Sequence, residues 1–141
     1  MTALAQVFNQ PLTETADIVR HDTILANTRI YAGTLAINDS GVIKIYTAAL
    51  YAGGAKLLGF PVTNVWNDTG SNVTDSRKFV FRRNCPMIVA PKSGDAPTIS
   101  NVGGTVYLKD NFTVGATDSG TDQAVTMLEY ISATQIRIKL P

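Results

Sequence analysis

The sequence predicts an all-β fold: a small antiparallel β-barrel or β-sandwich with an extended N-terminal arm. Three observations point there. Val, Ile and Thr supply 40 of the 141 residues, and branching at Cβ favours the extended backbone over the helix. The chain holds two glutamates, Glu14 and Glu129, too few to lace helix faces with ion pairs. Short apolar alternations are separated by clusters of Gly, Asn, Asp and Ser, which are turn formers. Hydrophobic residues make up 45%. A chain of this length buries roughly two thirds of its unfolded surface, so one domain can hold a core without staples.

Residues 1–22 read as the arm, extended or loosely helical. Ala3, Leu4, Val7 and Phe8 form a short apolar cluster, Pro11 interrupts it, and residues 13–17 show no strand alternation. A frayed terminus is the competing reading. Val7, Phe8 and Leu12 would gain by burial against a partner. Residues 23–141 then form a single β domain.

Within it, residues 28–37 read as a strand that is apolar on both faces. Tyr31, Leu35 and Ile37 share one face; Ile30, Ala32 and Ala36 share the other. Residues 38–41 (Asn-Asp-Ser-Gly) form a turn into a second strand at 42–47. Residues 48–56 are weakly patterned, and Gly53-Gly54 argues against a helix there. Residues 57–66 are apolar but contain Pro61, which lacks a ladder donor, so this strand is at an edge or bulged. A polar loop at 67–76 leads to the basic strand 77–84, where Phe79 and Phe81 oppose Lys78 and Arg82. Residues 86–90 form a short apolar piece and 91–97 a loop; further strands are expected at 104–110 and, after a tight turn at 109–111, at 112–114. The chain closes with a hairpin of 124–132 and 134–140, where Ile136, Ile138 and Leu140 face in and Arg137 and Lys139 face out. Seven to nine strands result, with no internal repeat of 20–50 residues.

Few residues suit chemistry. The net charge of +1 argues against a nucleic-acid partner, which needs clustered cations. No apolar run reaches the ~20 residues of a membrane span. The N-terminus lacks a basic n-region and a long apolar h-region, so no secretory signal is expected. The sequons at Asn38, Asn67, Asn72 and Asn111 then reflect Asn- and Thr-rich loops. One cysteine, Cys85, and one histidine, His21, exclude a disulfide framework and leave no usual zinc set. Cys85 reads as a small buried hydrophobe. Asp118, Gly120 and Asp122 have the spacing of a calcium loop but lack its closing Glu. No Gly-rich phosphate loop occurs. We expect no catalytic residues, cofactor or metal. The one charge concentration is Arg77, Lys78, Arg82 and Arg83. With Phe79 and Phe81 directed into the core, it reads as a solvated or partner-facing basic edge that could meet an acidic protein surface. Trp66 reads first as a core residue and second as an interface anchor.

The second half of the chain resembles the capsid cement, or head decoration, proteins of tailed bacteriophages. A basic strand precedes an element with Gly104, Val106, Tyr107, Asp110 and Val114. The closing strands carry Tyr130 to Thr134 and Ile136 to Ile138. Upstream, Ala32-Gly33-Thr34 with Leu35, Ile37 and Gly41 is similar to that family's first hairpin. Leu58-Gly59-Phe60 is similar to a later strand, although Phe60-Pro61 departs from the small residue usual there. The resemblance spans residues 28–140. It implies a structural protein on the outer capsid surface of a virion, assembled in the host cytoplasm. Such a protein clamps neighbouring major capsid subunits and associates with itself, as a trimer rather than a dimer. Val7, Phe8, Leu12, Trp66, Arg77, Lys78, Arg82 and Arg83 are the candidate contacts. The alternative is a virion-surface carbohydrate-binding β module, with Tyr46, Tyr51 and Trp66 as its aromatic supply.

Overall fold

The structure, a computed structural model, describes residues 17–141, the side chains of Ser76 and Arg77 excepted. Val7, Phe8, Leu12 and the rest of residues 1–16 lie outside the described residues. The all-β expectation holds: the described residues form twelve strands, one short α-helix and one 3-10 helix. They build two closed five-stranded barrels and a separate two-stranded ribbon.

The first barrel contains β1 (Asp17–Ile24), β3 (Ala36–Asp39), β4 (Val42–Ile45), β5 (Lys56–Pro61) and β7 (Val73–Arg83). The ribbon pairs β2 (Thr28–Ile30) with β6 (Val65–Asn67). The second barrel contains β8 (Pro86–Pro91), β9 (Thr105–Leu108), β10 (Thr113–Gly115), β11 (Ala124–Ser132) and β12 (Gln135–Lys139). Around the first barrel the order is β1-β4-β3-β5-β7. Around the second it is β8-β10-β9-β11-β12. Numbered within each barrel, both orders are first, third, second, fourth, fifth. Both barrels also place their single parallel pair between first and third strands, β1 with β4 and β8 with β10. Sequence inspection showed no repeat, yet the topology is repeated.

Two apolar faces on single strands join the barrels. In β3, Ala36 packs with Ile24, Ile43, Leu58 and Phe81 in the smaller cluster. Its neighbour Ile37 turns the other way, into the larger cluster with Met87, Val106, Met127 and Ile138 of the second barrel. In β5, Leu58 joins the first set, and Leu57 and Phe60 join the second. The larger cluster thus draws on both barrels, while the smaller one belongs to the first barrel and its ribbon. Backbone bonds cross the seam from Leu35 N to Asn111 O (2.8 Å) and from Asn84 N to Pro141 O (3.1 Å).

Several boundaries differ from expectation. Residues 17–22, expected to end the arm, belong to β1, which pairs with β7 from Asp17↔Arg83 onward. This strand is polar and bulged between His21 and Thr23, so no clean alternation betrays it. The expected strand 28–37 breaks after Ile30, because Thr34 turns back on Tyr31 through its N–H (3.1 Å) and hydroxyl (2.7 Å). The turn at 38–41 tightens to two loop residues, Ser40 and Gly41, with φ of 52° and 90°. Paired positive φ values match the right-handed strand twist. Gly53 ends a helix rather than preventing one: α1 (Ala48–Ala52) is capped by Thr47, whose Oγ1 accepts from Leu50 N at 3.1 Å. Strand β7 begins at Val73, four residues before the basic run, where Thr74 Oγ1 meets Thr23 Oγ1 at 3.0 Å. The bulged reading of the Pro61 strand holds. Its register with β3 shifts, and Gly59 sits at φ 106° with no room for a Cβ, which would fall 2.0 Å from Arg82 O.

Candidate interaction surfaces

The ribbon stands on the first barrel with Thr28, Ile30, Val65 and Asn67 buried. Asn67 fixes its loop: Nδ2 donates to Leu25 O (3.1 Å) and Ser71 O (2.8 Å), and Oδ1 accepts from Thr69 N (3.0 Å). Alternation then turns Arg29 and Trp66 outward, directly opposite each other. The Arg29 guanidinium lies 4.6 Å from the Trp66 ring centroid, within cation–π range. Arg29 is itself held by Asp68, with Nε donating to Oδ1 at 2.8 Å and Nη2 to Oδ2 at 3.0 Å. Those hydrogen bonds hold the Asp68 carboxyl below its ordinary pKa and raise that of Arg29. Tyr31 meets the Trp66 ring edge-on, at 6.3 Å and 70°. Trp66 is 47% exposed, so its first reading as a core residue is corrected. Sequence reasoning could not pair it with Arg29, 37 positions away, without the strand register.

The second barrel exposes a different kind of surface. Ile99, in the 3-10 helix Ile99–Asn101, is 73% exposed, and Val102, Leu128 and Ile131 are also exposed. The helix is fixed by Thr98 N donating to Asn101 Oδ1 (2.8 Å), and Gly103 N ties it to Met127 O (2.8 Å). Ile99 borders a groove of about 370 Å³ whose walls include Pro91, Pro97, Tyr130 and Ala133. Among the described residues no charged side chain lines it. Nothing in the sequence alternation singled out Ile99, which lies in a loop.

The basic edge is less free than expected. Lys78 is exposed, with Nζ 3.6 Å from Asp22 Oδ2. Arg82 and Arg83 are half-buried. Arg83 Nη1 donates to Leu57 O at 3.3 Å. The Arg82 Nε is enclosed without a hydrogen-bond partner among the described residues. These two are thus less solvated than Lys78, which leaves the partner-facing half of the reading for them. The Arg77 side chain lies outside the described residues. The phenylalanines behave as expected: Phe81 is fully buried and Phe79 packs against the same cluster. Arg83 also lines a cleft of about 630 Å³ that lies between the barrels, with Tyr51 and Leu57 on one side and Gln123 on the other.

The remaining candidates are built into the fold, although the buried Tyr46 hydroxyl has no hydrogen-bond partner among the described residues. Cys85 is fully buried in the larger core. His21 Nδ1 accepts from Thr23 N (3.1 Å), leaving Nε2–H for Asn38 Oδ1 at 3.2 Å. Tyr46 is fully buried and neighbours Tyr51, 6.4 Å between ring centroids; burial pushes its hydroxyl pKa up. The supposed aromatic trio is not assembled, since the ring beside Trp66 is Tyr31. Asp122 is buried and bound by Lys109 Nζ at 2.6 Å and Ser119 N at 2.8 Å. Burial pulls its carboxyl pKa up, but Lys109 and the Ser119 N–H pull it further down, to a net lowering. Among the described residues there is no group of three or more metal-ligating side chains and no helix long and apolar enough to cross a membrane. No family model, curated protein or solved structure matches the chain.

Proposed function

We propose that the protein is a capsid cement of the tailed-phage type, which binds the outer face of a shell and clamps neighbouring major capsid subunits. The observation that supports this best is the apolar surface of the second barrel. Ile99 is 73% exposed beside an uncharged groove, a combination that monomeric proteins tend to cover with a partner. The rest of the body suits a clamp. The larger apolar cluster draws on both barrels, so a contact made on one barrel is coupled to the other through packed side chains. Cement acts by multivalency: modest contacts, repeated over a shell, sum to a large resistance to separation. Self-association into a trimer fits the same reading, with the major capsid protein as the main partner.

The test is co-sedimentation of purified protein with undecorated, expanded phage shells, alongside light scattering of the free protein. Saturable binding at a fixed ratio to the capsid subunit is expected. Ile99→Asp should abolish it while leaving the circular dichroism spectrum unchanged. Absence of binding to any shell form would overturn the reading.

A further inference from the structure

We propose that the cleft between the two barrels binds an acidic peptide segment, with Arg83 and Lys56 receiving a glutamate carboxylate and Gln123 accepting from a peptide N–H. This goes beyond the capsid reading and does not depend on it. The cleft holds about 630 Å³, the size of a ligand site rather than of a surface dimple. Lys56, Leu57 and Arg83 of the first barrel line it on one side, and Gln123 lines it on the other.

Charge selects the ligand first. Among the described residues, ion pairs join Lys44 to Asp39, Lys109 to Asp122 and Arg137 to Glu129. Lys56 and Arg83 have no carboxylate partner among those residues, and both face the cleft. Arg83 is half-buried and gives Nη1 to Leu57 O at 3.3 Å, which leaves Nη2 for a ligand. A guanidinium that has given up water without gaining an ion partner is stabilised by an incoming carboxylate. The acids nearby are already engaged. Asp122 is taken by Lys109 Nζ at 2.6 Å, and the last residue, Pro141, has its O bound by Asn84 N at 3.1 Å.

The lining then narrows the anion. Ala55 and Leu57 give the cleft an aliphatic wall. Inorganic phosphate would leave that wall uncovered, whereas a glutamate side chain has methylenes to lay against it. Across the cleft, Gln123 Nε2 donates to Ala124 O at 2.9 Å, so its Oε1 is left to accept. A free dicarboxylate has no N–H to offer it; a peptide has.

The purified full chain would be titrated with acetyl-Ala-Glu-Glu-Ala-amide, its Gln-for-Glu counterpart, glutarate and inorganic phosphate, and followed by amide NMR shifts. Saturable shifts centred on residues 54–57 and 121–123 are expected with the Glu peptide, and binding at least fivefold weaker with the other three. Arg83→Gln should weaken peptide binding about tenfold. Because Arg83 also holds Leu57 O, the exposed Lys56→Gln is the companion variant that leaves the fold alone; it should weaken binding about threefold. No saturable response to the Glu peptide overturns the proposal, as does binding that both variants leave unchanged. Equal binding of the Gln peptide, glutarate or phosphate also overturns it, since the carboxylate, the peptide N–H or the aliphatic wall would then be idle.

Discussion

The first barrel and the second close in the same strand order but elaborate different connections. In the first, the link between first and second strands and the link between fourth and fifth each contribute a strand, and together they make the ribbon that holds Trp66. In the second, the fourth and fifth strands are joined by the tight turn at Ala133 and Thr134, and the first link carries the 3-10 helix with Ile99. The third-to-fourth links differ as well. The first barrel uses the capped helix α1; the second uses a loop bound by Lys109. The barrel sets the topology, and the connections decide what each half can touch. That division is general: loops on a fixed scaffold carry the recognition.

Four substitutions would break or sharpen the comparison. Gly59→Ala should have the largest effect, because φ is 106° and the new Cβ would fall 2.0 Å from Arg82 O. A cost of about 3 kcal/mol or more is expected from strain plus overpacking, read as a lower urea midpoint. The corresponding strand β11 bends through register shifts without a glycine, so hydrogen exchange should rise in β3, β5 and β7 before β8 to β12. Simultaneous loss of protection would make the barrels one cooperative unit.

Asp122→Asn comes next. Its side chain and that of Lys109 are 5% and 7% exposed, and removing the carboxylate charge while Lys109 Nζ keeps Thr117 O and Ser119 Oγ should cost about 2 kcal/mol. The native Asp122 pKa is lowered, so the ion pair's contribution is fully present above the unfolded carboxylate value of about 4 and is lost as pH falls through the folded value. Wild type should lose stability below about pH 4, and Asp122→Asn should show a flatter acid limb in pH-dependent thermal melts. Equal acid limbs would mean that the loop does not depend on this pair.

Thr47→Ala removes the cap of α1, the first barrel's counterpart of that loop, and should cost about 1 kcal/mol by urea denaturation. If it costs as much as Asp122→Asn, the two connections are equivalent anchors. Trp66→Ala should be the mildest, within about 0.5 kcal/mol in the same assay. A larger loss would show that the ribbon braces the first barrel rather than decorating it.

What the sequence made legible follows from burial. The closing hairpin was read correctly because Ile136, Ile138 and Leu140 alternate with Arg137 and Lys139 and one face meets one core. The two-faced strand at 28–37 was also a true signal: Ile37 serves the shared core and Ala36 the smaller cluster. The break within it is hidden because Thr34, which makes it, is a good β-former that here hydrogen-bonds back to Tyr31. β1 escaped notice because its pairing with β7 is backbone-mediated and its side chains are mixed. The surfaces were the least legible part. Trp66 meets Arg29 across the ribbon, a relation set by register. The half-burial of Arg82 and Arg83 was not legible either, since Arg83 Nη1 reaches Leu57 O on a strand 26 positions away.

The connection between the barrels has a mechanical meaning. Strands β7 and β8 are separated only by Asn84 and Cys85. Asn84 N bonds to Pro141 O, and Leu140 N bonds to Cys85 O, at 3.1 and 3.0 Å. The linker is therefore stapled to the tail of the last strand at the point where it changes barrel. A force pulling the two halves apart would not bend this joint. It would have to shear those bonds while peeling Leu35, Ile37 and Phe60 away from the second barrel. The molecule should behave under tension as a short stiff rod, failing abruptly rather than stretching.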